Sequence, residues 1–120
     1  MKLKNGIIYN SQNALLKLKN TELPIKTAYK VNKVIKVISE KIKFLEEQRN
    51  EIIQKYGREE NGVFSIDKDD IQAIERFIND FNEILDIEEE LNIEEFSMED
   101  FTEVKLTSDD FETISYLFHE

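Results

Sequence analysis

From Ala28 to Tyr56 the apolar positions recur in steps of three and four: Ala28, Val31, Ile35, Ile38, Ile42, Leu45, Arg49, Ile52 and Tyr56. That spacing is a heptad seam carried through four repeats and interrupted once, by Arg49. Lys30, Lys33, Lys36, Lys41, Lys43, Glu46 and Glu47 lie between the seam members. One amphipathic helix over 25–56 accounts for the whole stretch. At 1.5 Å per residue it is roughly 48 Å long. Pro24 stands where a helix can start, and Gly57 is expected at the C′ position that ends it. Val34, Val37, Phe44 and Ile53 widen the apolar face beyond a strict seam, which suits a bundle more than a two-stranded coil.

Ahead of this helix, in residues 1–20, Leu3, Ile7, Ile8 and Tyr9 predict a short strand over 3–9, with Asn5-Gly6 as a kink or bulge. Asn10 or Ser11 caps a short helix to about Lys19, with Ala14, Leu15 and Leu18 on one face. Beyond Gly57, Arg58-Glu59-Glu60-Asn61-Gly62 reads as a turn, Asn-Gly being the hairpin dipeptide, and Val63–Ile66 as a short extended stretch. Asp67 is the expected cap of a second long helix over 68–86, with Asp69 and Asp70 in its first turn. Ile71, Ile74, Ile78, Phe81 and Leu85 repeat the seam spacing there, flanked by Phe77 and Ile84. The short connection requires the two helices to run antiparallel.

In the acidic region 87–106 the period changes. Ile87, Glu89, Leu91 and Ile93 alternate with Glu88, Glu90 and Asn92, the signature of a strand with one wet face, Glu89 being the exception. A helical reading of 88–91 stays open. Ser97-Met98-Glu99-Asp100 has capping-box spacing and predicts one helical turn. Val104-Lys105-Leu106 is a strand candidate. Thr107-Ser108-Asp109-Asp110 caps a C-terminal helix over 108–118 whose face is Phe111, Ile114, Leu117 and Phe118. The expected fold is one α+β domain over 1–120, mostly α: a long antiparallel helical hairpin, a small β-sheet and a C-terminal helix. The N-terminal strand is expected to pair with a late one.

Composition sharpens this picture through charge. The chain carries 16 Lys and Arg against 26 Asp and Glu, a net charge of −10. Residues 1–49 hold 11 basic and 4 acidic side chains, and residues 50–120 hold 5 and 22. The halves attract each other if they pack, and an acidic face remains to engage a basic partner. A duplex binder needs a basic footprint, so direct nucleic-acid binding is not expected. With no Cys and a single histidine, His119, there is no thiolate metal site, no disulfide and no multi-His site to expect. No apolar run approaches the ~20 residues of a membrane span, and residues 1–8 have no apolar signal core. The expected compartment is the cytoplasm.

Four constellations invite chemistry. Asp67, Asp69 and Asp70 suggest a calcium loop, but Ile71, Gln72 and Ile78 occupy the positions where an EF-hand needs an oxygen ligand, Gly and Glu. Asp100, Glu103 and Lys105 contain the acidic-x-Lys element of metal-dependent nucleases, without the separate strands that would converge on a pocket. The densest acidic tract is Glu88, Glu89, Glu90, Glu94, Glu95, Glu99, Asp100 and Glu103. It reads as a solvated or docking face, because nothing apolar encloses it to drive carboxyl pKa values apart. Arg49 in an apolar seam is a candidate register residue. It is expected to pair with Asp69, Asp70 or Glu75 on the second helix, the alternative being that its stem packs and its head reaches water. No phosphate-binding glycine loop and no nucleophile elbow is present. No cofactor, metal ligand or catalytic residue is expected.

Several segments carry a resemblance: Leu23-Pro24-Ile25-Lys26 with Ala28-Tyr29-Lys30, Ile53-Gln54-Lys55-Tyr56-Gly57, Asn61-Gly62, Phe81-Asn82-Glu83-Ile84-Leu85, and Leu106-Thr107. Together they resemble a family of small uncharacterised phage and prophage proteins of Gram-positive bacteria with AT-rich genomes. Sixteen Ile, thirteen Lys and ten Asn against three Ala fit such a genome. The resemblance implies an origin and supplies no active site. The expected function is a non-enzymatic acidic interaction protein that binds and inhibits a host nucleic-acid-binding or defence protein through a basic surface on that partner. The alternative is a virion component or assembly chaperone that forms homo-oligomers through an exposed helix seam.

Overall fold

The computed structural model describes residues 1–119. In chain order it has β1 (Lys2–Lys4), α1 (Asn5–Asn10), α2 (Gln12–Lys19), α3 (Ile25–Tyr56), β2 (Arg58–Glu60) and β3 (Val63–Ser65). α4 (Ile71–Leu85), β4 (Glu88–Glu90), β5 (Phe96–Ser97), a 3-10 turn (Met98–Phe101), α5 (Ser108–Ile114), a second 3-10 turn (Ser115–Leu117) and β6 (Phe118–His119) follow. The fold is α+β and mostly α, built on the hairpin of α3 and α4.

α3 is the axis of the molecule, whose extents are 49 × 29 × 24 Å. Its 32 residues at 1.5 Å each match the longest extent. The first half of its apolar face enters the main core. Val31, Val34 and Ile38 pack with Leu3, Ile8, Ala14, Leu15 and Leu18 from the N-terminal segment, and with Leu91, Phe96, Phe101, Ile114 and Leu117 from the C-terminal one. Around Phe118 the rings of Phe96, Phe101 and Phe111 lie 5.2 to 5.7 Å away, centroid to centroid. The second half of α3 buries only Leu45 and Ile52, against α4, which buries Ala73 and Phe81.

Three small sheets pin the ends of the helices. β1 pairs antiparallel with β4, Lys2 opposite Glu90 and Lys4 opposite Glu88. The early strand thus meets a late one as expected, and opposite charges face each other across the ladder. β2 and β3 form a hairpin closed by Asn61 and Gly62, both at positive φ (52° and 81°), the type I′ geometry that Asn-Gly favours. β5 and β6 pair in parallel, Phe96 opposite Phe118.

Several expectations are corrected. The strand over 3–9 stops at Lys4. Asn5–Asn10 is helical although Ile7, Ile8 and Tyr9 are β-formers, because tertiary anchoring overrides propensity. The Asn5 backbone N–H donates to Ile87 O at 2.9 Å, its side-chain Nδ2 donates to Ile84 O at 3.0 Å, and Ile8 is fully buried. Arg58–Glu60 is the first arm of the hairpin rather than part of its turn. α4 begins at Ile71, not 68. Its cap is Asp70, whose carboxylate accepts from Ala73 N–H at 3.1 Å, while Asp67 accepts from Asp69 N–H in a local turn before the helix. Val104–Leu106 forms no strand. The C-terminal helix closes at Ile114, and Leu117 and Phe118 reach the core from the 3-10 turn and β6. Gly57 is extended (φ −98°, ψ −177°), not left-handed. It is required by proximity: a Cβ there would stand 2.6 Å from both Ile53 O and Ser65 O.

Candidate functional site: an acidic segment and an adjoining groove

The acidic tract follows α4 and runs along β4, an irregular segment and a 3-10 turn. In β4 the alternation places Glu89 inward and Glu88 and Glu90 outward. The structure then divides the eight carboxylates. Glu89 is bound to Lys41 Nζ on α3. Glu90 accepts from the Met1 amine at 2.8 Å, and that hydrogen bond, reinforced by the amine's charge, holds its carboxyl below the usual range. Asp100 lies 3.9 Å from Lys30 on α3. Glu88 sits across the ladder from Lys4.

Glu94, Glu95, Glu99 and Glu103 are exposed and have no ion pair among the described residues. The attraction between the two halves of the chain therefore consumes Glu89, Glu90 and Asp100 and leaves the other far-end carboxylates in water. The tract is one chain segment but not one uniform face.

Beside that far end is a groove of about 630 Å³. One wall is the first half of α3, with Ile25, Lys26, Tyr29, Lys30 and Lys33; the other is the segment from Asn92 to Phe96. The half-buried Val37 and Ile93 and the buried Val34 and Phe96 also border it. Tyr29 is 67% exposed and Ile25 86%. Lys33 Nζ stands 6.0 Å from the Tyr29 ring centroid, at the edge of cation–π range. The groove is therefore basic on its helix wall and acidic, through Glu94 and Glu95, on the other. Sequence reasoning placed Lys30 and Lys33 between seam members and assigned them no role. The signal it did not use was that Ile25 and Tyr29 share a helix stripe with them, one turn apart.

Arg49 is half-buried and its guanidinium carbon lies 5.6 Å from the Phe77 ring centroid. The expected ion pair with Asp69, Asp70 or Glu75 is not formed. The late start of α4 makes Asp70 its cap, and the residue facing Arg49 about two helical turns further on is aromatic. Near it, Tyr9 donates to Glu46 at 2.6 Å and Tyr56 donates to Asp80 at 2.6 Å.

The second seam is also redistributed. Ala73, Phe77 and Phe81 turn towards α3, whereas Ile71 (67%) and Ile78 (47%) stay exposed, next in the chain to a hairpin that exposes Val63 and Phe64. The apolar arc of α4 is wider than α3 covers.

Among the described residues, no group of three or more His, Cys, Asp or Glu side chains is placed to hold a metal, and no helix is long and apolar enough to cross a membrane. No family model, curated protein or solved structure matches the chain.

Proposed function

We propose that this chain is a non-enzymatic, phage-type interaction protein that acts in the cytoplasm of a host cell. In this reading it docks a basic surface of a host nucleic-acid-binding or defence protein and blocks it. The observation that supports the reading is the division of the acidic tract. Among the described residues Glu94, Glu95, Glu99 and Glu103 have no ion pair, while their neighbours Glu89, Glu90 and Asp100 are tied to the scaffold. Carboxylates held on a packed frame in this way offer negative charge where a basic partner would otherwise take phosphates.

The test is capture of partners from host lysate at about 50 mM and about 500 mM salt, where screening lengths differ severalfold. Partners retained at low salt and lost both at high salt and with Glu99→Lys/Glu103→Lys support the docking face. Partners retained equally in all arms overturn it.

The uncovered arc of α4 favours a second reading, a virion component or assembly chaperone that associates through Ile71, Ile78, Val63 and Phe64. Sedimentation separates the two, a monomer supporting the inhibitor and a ring or higher oligomer the assembly role.

A further inference from the structure

The groove between α3 and Asn92–Phe96 combines three features and shares only Glu94 and Glu95 with the acidic-face reading. The first is charge on both walls: Lys26, Lys30 and Lys33 on the helix side, Glu94 and Glu95 on the other. Lys30 is drawn towards Asp100, whereas Lys26 and Lys33 have no ion pair among the described residues. The second is the apolar surface of Ile25, Tyr29, Val37 and Ile93, beside the buried Val34 and Phe96.

The third feature is backbone. The β1–β4 ladder ends with Leu91 N–H donating to Met1 O at 2.8 Å, and the chain re-enters a sheet only at Phe96. Between these points Asn92, Ile93 and Glu94 make no backbone–backbone hydrogen bond among the described residues. Backbone donors and acceptors beside an apolar groove are a template for an added strand.

We propose that this groove binds an extended peptide segment of a partner protein. The segment pairs its backbone with Asn92–Glu94 and sets alternate apolar side chains on Ile25, Tyr29 and Val37. It carries an acidic residue that meets Lys26 and Lys33, and a basic one that meets Glu94 and Glu95. Main-chain pairing supplies affinity, and the alternate side chains and opposed charges supply selection. A helix in the groove would leave the three unpaired residues unused, and a purely basic or purely acidic segment would face like charge on one wall.

The test is selection of a displayed library of random twelve-residue peptides on the full chain, then binding of the enriched peptides in solution. Enriched peptides are expected to alternate apolar residues and to carry both signs. Lys26→Glu/Lys33→Glu is expected to weaken them at least tenfold, and so is N-methylation of alternate peptide amides, a measurement that leaves the protein unaltered. Amide resonances of Asn92, Ile93 and Glu94 are expected to shift on binding. Glu99→Lys/Glu103→Lys, outside the groove, is expected to leave this binding unchanged, so failure of the acidic-face reading and failure of this one are separable. No enrichment, binding indifferent to Lys26 and Lys33 or to N-methylation, or a groove filled by a second copy of the chain each overturns the proposal.

Discussion

Tyr9 donates its hydroxyl to Glu46 at 2.6 Å and packs its ring edge-on to Phe81 at a centroid distance of 5.3 Å, so one side chain joins α1, α3 and α4. Burial first, and the Glu46 carboxylate second, push its pKa above the ordinary value. Burial does the same to Tyr116, against the opposing pull of its Ser11 hydrogen bond. A folded pKa above the unfolded one means that the stability is whole below about pH 10 and is lost as pH rises through the folded values. The urea midpoint is therefore expected to fall above about pH 10. The fall should be shallower in Tyr9→Phe and shallower still in Tyr9→Phe/Tyr116→Phe. Lysine titration is common to all three proteins, so the difference between their curves is the readout.

On the acid side the signs reverse. Asp110 accepts from Lys17 Nζ at 2.5 Å, and that bond, aided by Thr107, holds its carboxyl below the usual range. Glu90 is lowered chiefly by its hydrogen bond to the Met1 amine. Depressed folded pKa values give stability that is present above the ordinary carboxyl range and lost as pH falls through the folded values. Asp110→Asn is expected to flatten the acid limb of a thermal-melt series against pH, and to leave the alkaline limb as it was.

Arg49 answers to Phe77 rather than to an acid. Removing it orphans no buried carboxylate, so Arg49→Ala is expected to cost only about 1 kcal/mol, from the lost ring contact and stem packing. Arg49→Leu is expected to be neutral or stabilising, because it completes the seam. Chemical denaturation of the two variants checks both. A loss of several kcal/mol in Arg49→Ala would point instead to an ion pair.

Two glycines a few residues apart fail for different reasons. A methyl group at Gly57 meets two backbone carbonyl oxygens at 2.6 Å, and neither belongs to a side chain that can swing away. Gly57→Ala is expected to cost about 1–3 kcal/mol, as overpacking does. At Gly62 nothing lies within 4 Å of the added methyl, but φ is +81°. Gly62→Ala is therefore expected to cost about 1–2 kcal/mol through backbone conformation alone. Replacing Gly62 by Asn should recover part of that loss, whereas Gly57→Asn should not.

What was legible in the sequence tracks how many residues carried each signal. The bounds of α3 came directly from a period sustained for eight steps, and the hairpin from the Asn61-Gly62 pair. Where a signal was short, distant partners decided the outcome. Asn5 became helical through bonds to Ile84 and Ile87, some eighty residues away, and Asp70 displaced Asp67 as the cap by three residues. The charge asymmetry foretold attraction between the halves, yet not which carboxylates it would consume. Lys41, Lys30 and the Met1 amine made that choice through chain topology. The groove was illegible because its two walls are more than fifty residues apart.

Burial along α3 is unequal, and this gives one helix two different dynamic lives. Its first half is locked between both ends of the chain, while its second half rests on α4 with four buried apolar side chains: Leu45, Ile52, Ala73 and Phe81. Opening free energy follows local burial. Amide hydrogens around Ile52 should then exchange with solvent deuterium well before those around Val34 and Ile38, though all belong to one continuous helix. The molecule is expected to breathe at the α4 end, in a partly open state whose closed remainder still holds the groove and the acidic segment in place.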